Sequence, residues 1–127
     1  MAKYQKKLED DIRYPLEYGL AVFGGKWKSR IICVLASQET LRYSQIRKEM
    51  HNITDAVLAA TLKDLISDEI VRRKSYDEIP PRVEYSLTEK GRSVVPILQS
   101  TCQWSDIFYK DGSENSLAQC QKCDYRR

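Results

Sequence analysis

The chain has little of what most catalytic or secreted proteins need. Its 127 residues hold one histidine, five glycines, four prolines, two tryptophans and two phenylalanines. A single histidine, His51, in a polar stretch gives no acid–base pair. No GxSxG, HExxH or phosphate-cradling glycine loop occurs, so hydrolase, metalloprotease and nucleotide-binding chemistry have no visible machinery. Gly24-Gly25 reads as a helix break, and His51 as a turn residue. No apolar run approaches the ~20 residues of a membrane span, and residues 1–11 are charged where a secretory signal would be apolar. A cytoplasmic, membrane-free protein is expected, in which Cys33, Cys102, Cys120 and Cys123 stay largely reduced. Neither metal nor cofactor is expected, and the chain does not read as an enzyme.

What is present is an ordinary globular composition, 42% hydrophobic and 31% charged, at a length that buries a core without staples. The net charge of +3 is small, but it is unevenly placed. Residues 1–25 and 93–127 each carry four basic and four acidic side chains, whereas 26–92 carries thirteen against ten. Within 26–48, Lys26, Lys28, Arg30, Arg42, Arg47 and Lys48 face Glu39 alone. Such a segment suits a polyanion such as a phosphate backbone, and equally a solvated basic surface until it is placed on structure.

Hydrophobic spacing supplies that placement. Tyr4, Leu8 and Ile12 suggest a short amphipathic helix. Pro15 suits the first turn of a helix running to Phe23, which Gly24-Gly25 ends. Trp27, Ile31, Val34 and Leu35 form the buried stripe of a helix over 26–36. A polar connector over 38–42 follows, with one small strand at 41–43. Ser44 is the expected N-cap of a short helix to about Met50, and Thr54 that of a helix over 54–68. In the latter, Leu58, Leu62, Leu65 and Ile66 face inward while Ala56, Ala59, Ala60 and Lys63 face out.

The period then changes to a strand over 71–76, a turn at 77–81, and a returning strand through Val83, Tyr85 and Leu87. Thr88-Glu89 opens a long helix to about 109, and 111–127 is a polar tail. The result is mainly α with a small β-hairpin wing (α+β): a single winged helix-turn-helix domain over 1–110, its two central helices joined by a tight turn.

The residues in these blocks carry a resemblance. Pro15-Leu16-Glu17-Tyr18, Gly24-Gly25-Lys26-Trp27-Lys28, Leu41-Arg42-Tyr43-Ser44-Gln45-Ile46-Arg47, Leu58-Ala59-Ala60-Thr61-Leu62-Lys63-Asp64-Leu65 and Pro80-Pro81-Arg82-Val83-Glu84-Tyr85-Ser86-Leu87-Thr88-Glu89-Lys90-Gly91 follow one another in order. Together they resemble the HxlR family of bacterial transcriptional regulators, relatives of the MarR type, over about residues 12–108. The resemblance implies a dimeric winged helix binding operator DNA, with the terminal helices as interface. Several members sense oxidants through a cysteine immediately before the first proline; here that position is Tyr14.

The reading helix departs from the usual pattern as well. Asp55-Ala56-Val57 opens it where relatives place a basic or amide residue, and over 54–69 Lys63 stands against Asp55, Asp64, Asp68 and Glu69. Asp55 suits the helix N-terminus or a cytosine amine, and the alanines allow close approach to thymine methyls.

Double-stranded DNA is therefore the expected partner, together with a second copy of the chain and an unspecified small-molecule effector. Lys26, Lys28 and Arg30 are candidate phosphate contacts or a solvated face. Arg42, Tyr43, Ser44, Gln45 and Arg47 sit at the entrance of the first helix of the pair. Thr54, Asp55, Ala56, Ala59, Ala60 and Lys63 form the reading face. Arg82, stiffened by Pro80-Pro81, is the wing contact, with Arg73 and Lys74 as further candidates, one of which should point the wrong way because strand neighbours alternate faces. Leu8, Ile12, Ile97, Leu98, Thr101, Trp104, Ile107 and Phe108 are the expected dimer contacts, and two-fold symmetry implies a palindromic operator. Two other readings stand beside this one: a protein-binding winged helix with weakened DNA readout, and a redox switch through Cys102, Cys120 or Cys123.

Overall fold

The structure, a computed structural model, describes residues 14–108. The expected helix at 4–12, with Leu8 and Ile12, and the tail bearing Cys120 and Cys123 lie outside them. Five helices and one hairpin follow in order: α1 (Pro15–Phe23), α2 (Lys26–Ala36), α3 (Tyr43–Glu49), α4 (Asp55–Ser67), β1 (Val71–Tyr76), β2 (Arg82–Leu87) and α5 (Glu89–Phe108).

Helix α2 is the hub. It packs on α1, α3, α4, α5 and β2, and it can do so because Ile31, Ile32, Val34 and Leu35 bury a sector wider than one stripe. Gly25 at its N-cap has φ of 87°, a left-handed conformation that glycine takes without a Cβ penalty. Around α2 the core closes with Val22, Leu41, Ile46, Met50, Ile53, Leu58, Leu62, Leu65, Ile70, Val71, Tyr85, Leu87 and Val94. Trp27 is half-buried against it. Cys33 is also only half-buried.

Two caps differ in kind. Thr54 Oγ1 accepts from the Val57 N–H at 3.2 Å, the cap its sequence position called for. Helix α3 instead starts one residue before Ser44. Its N-cap is Arg42, whose backbone N–H donates to Gln45 Oε1 at 2.8 Å. An arginine side chain has no acceptor to offer the helix, so the glutamine three residues on closes the end from the other side.

Helix α4 ends in a Schellman motif. The Ile70 N–H reaches Leu65 O at 2.9 Å and the Glu69 N–H reaches Ile66 O at 3.0 Å. Glu69 sits at φ of 62°, the left-handed position such an ending requires. The chain then enters β1, which pairs antiparallel with β2 from Val71↔Leu87 to Tyr76↔Arg82. Leu41 adds a one-residue bridge to Tyr85, N–H to O at 3.0 Å and 2.8 Å in the two directions. The small strand expected at 41–43 is thus reduced to that single residue.

Candidate nucleic-acid interface

Helices α3 and α4 are the pair that a helix-turn-helix needs, and side chains lock their mutual angle. Arg47 Nε of α3 donates to Asp55 Oδ1 of α4 at 2.7 Å, and Tyr43 OH donates to the Asp55 carbonyl at 3.3 Å. Burial, and secondly the Asp55 carboxylate, push the Tyr43 hydroxyl above the usual phenol range, so it stays a donor at neutral pH. Leu58, Leu62 and Leu65 anchor α4 from beneath, and Thr61 Oγ1 donates back to Val57 O at 2.7 Å. On the outer side Thr54, Asp55, Ala56, Ala59, Ala60 and Lys63 are all exposed, as their spacing required. Beside them Arg42, Ser44, Gln45 and Lys48 are exposed too. Among the residues expected between 42 and 63, the contacts of Tyr43 and Arg47 with Asp55 join the two helices.

The three cations of α2 are arranged differently. Lys26 Nζ lies 4.5 Å and the Arg30 guanidinium 5.3 Å from the centre of the Trp27 ring. Lys28 is half-buried, and its Nζ donates to Ala21 O in the last turn of α1 at 2.8 Å. That carbonyl is one a helix terminus leaves without an internal partner, so Lys28 acts as a cap for α1.

Arg82 also turns inward upon its own hairpin. Its Nη2 meets Glu78 at 2.9 Å, its Nη1 meets Glu84 at 2.7 Å, and the guanidinium lies 3.7 Å from the centre of the Tyr76 ring. The hydrogen bond to Glu78 holds Arg82 above its ordinary pKa against the opposing effect of burial. Among the described residues its Nε is buried without a hydrogen-bond partner. The wing's other cations are open. Arg72, Arg73 and Lys74 are each exposed, because β1 runs past the edge of the core after Val71 and both its faces meet solvent. As strand neighbours, Arg73 and Lys74 point to opposite faces of the hairpin, and both faces are exposed there. Arg72, which sequence reasoning passed over, was legible as the first member of an Arg72-Arg73-Lys74 run.

A scaffolded helix pair with an outward face of small residues, followed by a cationic hairpin, is a winged helix-turn-helix. The HxlR-like helix-turn-helix family matches residues 22–113. The chain belongs to that family. An HTH-type transcriptional regulator of Halalkalibacterium halodurans is 40% identical over 104 residues, spanning 82% of this chain and 92% of the relative. Among solved structures, the redox regulator HypR in its oxidised form has a TM-score of 0.70 and 36% identity, covering 77% of this chain and all (100%) of that one. The reduced form of YodB from Bacillus subtilis has a TM-score of 0.69 and 33% identity, covering 80% and 100%. This HxlR-family chain is thus a DNA-binding regulator of transcription by class, and its relatives are named as regulators rather than enzymes.

Proposed function

We propose that the chain acts as a homodimer that binds a palindromic operator sequence-specifically, α4 lying in the major groove. The observation that carries this reading is the two-sided build of α4: three buried leucines fix it while Ala56, Ala59, Ala60 and Lys63 form an open outer face. An α-helix enters the major groove only if its outer side chains are small or able to bond to base edges. Arg42 and Lys48 with the exposed Ser44 and Gln45 hold phosphates beside it, as does Lys26. In the wing, Arg72, Arg73 and Lys74 supply the flanking charge, while Arg82 stiffens the hairpin that presents them. No helix of the described residues is long and apolar enough to cross a membrane.

The second subunit covers the apolar residues that this fold leaves outside. Leu16 and Leu20 on α1, and Ile97, Trp104, Ile107 and Phe108 on α5, are between 49% and 70% exposed. Thr101 lies on the same exposed stretch, whereas Leu98 packs partly on the subunit's own core. The Trp104 and Phe108 rings meet at a tilt, their centres 5.2 Å apart, and both are largely exposed.

The test is a titration of purified protein against the duplex upstream of its own gene, with unrelated duplex as competitor, across salt. Tight binding that survives competitor and falls steeply with salt supports the reading. Equal, weak binding to both duplexes contradicts it. A thiol switch is a second reading, favoured by the likeness to the redox regulator HypR. With Tyr14 ahead of Pro15 it would have to use Cys33, Cys102 or a tail cysteine. Oxidant that leaves wild type and the Cys33→Ser, Cys102→Ser, Cys120→Ser and Cys123→Ser variants with equal DNA affinity removes it.

A further inference from the structure

We propose that Asp55 is a specificity-determining residue, its carboxylate reading the exocyclic amine of a cytosine at one position of each operator half-site. The inference rests on the DNA-binding reading above and names the base contact made by that site. Asp55 opens α4, its side chain is 75% exposed, and its Oδ1 is held by Arg47 Nε at 2.7 Å. The Tyr43 hydroxyl donates to the Asp55 carbonyl, so backbone and side chain each have a partner on α3. The carboxylate keeps acceptor capacity beyond that ion pair, since each of its oxygens carries two lone pairs.

Of the neighbouring residues on the outer face, Asp55 is the one with an acceptor to spare for a base amine. Ala56, Ala59 and Ala60 have none to offer, Val57 is aliphatic, and the Thr54 oxygen already caps the helix. Arg47 also supplies the charge balance. A lone carboxylate among phosphates would be repelled, but paired to a guanidinium the outer face near 55 is close to neutral. That arrangement keeps Arg47's remaining N–H groups as donors for a phosphate while the carboxylate faces the groove.

An ionised carboxylate only accepts, and the donors in the major groove are cytosine N4 and adenine N6. Adenine N6 lies between two acceptors, its own N7 and thymine O4, both of which repel a second carboxylate oxygen. Cytosine N4 is flanked on one side by the C5 hydrogen, so cytosine is the better partner. An asparagine in the same place would pair bidentately with adenine N6 and N7. Asp55→Asn should therefore move the preference from cytosine to adenine at that one position.

The experiment is selection from a randomised duplex library with full-length wild type and D55N, their folding compared by circular dichroism. The wild-type site is then remade with 2-pyrimidinone, which lacks the 4-amino group, replacing each cytosine in turn. The expected result is one cytosine position per half-site that becomes adenine with D55N. Replacing that cytosine should weaken wild-type binding roughly 5- to 150-fold. The same motif from both proteins, or unchanged affinity for every 2-pyrimidinone site, overturns the inference while leaving DNA binding intact. A wild type that enriches no motif overturns the DNA-binding reading and this inference with it. The 2-pyrimidinone measurement uses wild type alone, so a D55N variant that misfolds does not shield the inference.

Discussion

At the residue scale, close approach and charge pairing decide what each position tolerates. Gly91 is the clearest case. A Cβ there would stand 2.2 Å from the Ile70 carbonyl oxygen and 3.2 Å from Leu87 Cδ2. Alanine gains about 1 kcal/mol of helix propensity over glycine, yet the obstacle is backbone and cannot swing away. Overpacking of this kind costs about 1–3 kcal/mol, so Gly91→Ala should be a net destabilisation, read as a lower urea midpoint at unchanged slope. Arg82 makes the opposite point about charge. A wing arginine on phosphate would contribute about 0.9 to the slope of log affinity against log salt. Because its guanidinium is already engaged by Glu78, Glu84 and Tyr76, Arg82→Ala should leave that slope unchanged and lower the melting temperature. A slope reduced by nearly one in salt-titrated binding would show that the clamp opens on DNA.

At the element scale, one lysine joins three segments. Lys90, at the start of α5, donates to Tyr18 OH on α1 at 3.0 Å and to Asp68 O at the end of α4 at 2.9 Å. The hydrogen bond to Tyr18, first among the causes, raises the Lys90 pKa above its ordinary value. A raised folded pKa means a contribution fully present below the unfolded pKa and lost as pH climbs through the folded one. Thermal unfolding measured up the alkaline range should therefore show a loss of stability that is shallower in Lys90→Met.

Elements built from local signals were legible in the sequence: Pro15 and the paired glycines bounded α1, Thr54 capped α4, and the change of period marked the hairpin. Ser44 misled, because a hydroxyl is the commoner cap, and the glutamine at 45 closed the helix instead. The site was legible as a surface but not as a circuit. Arg47 and Asp55 are eight positions apart, and Arg82 stands between two glutamates. Whether such charges meet depends on turn geometry that periodicity does not encode. The inward lean of Leu98 was hidden for the same reason: which side of a long helix its own domain covers is a tertiary fact.

At the scale of the whole molecule, the fold leaves apolar area on α1 and α5 and a small-residue face on α4; in the proposed function the first meets a second subunit and the second meets DNA. Trp104, 65% exposed on its own subunit, should lie at the heart of the dimer. Trp104→Asp should then yield a monomer by sedimentation equilibrium, with a melting temperature that no longer rises with protein concentration. The groove assignment is tested most directly at Ala59, exposed in the middle of α4's outer face. Glutamate is nearly as good a helix former as alanine, so Ala59→Glu should keep the fold while placing bulk and negative charge where the base edges would lie. The measurement is the affinity of wild type and Ala59→Glu for the upstream duplex at one fixed salt concentration, with melting curves alongside. Equal melting and a loss of affinity of at least about 100-fold are expected, from a displaced helix and a new repulsive charge. Unchanged affinity in a folded Ala59→Glu protein would mean that α4 does not enter the groove, and would contradict the proposed function.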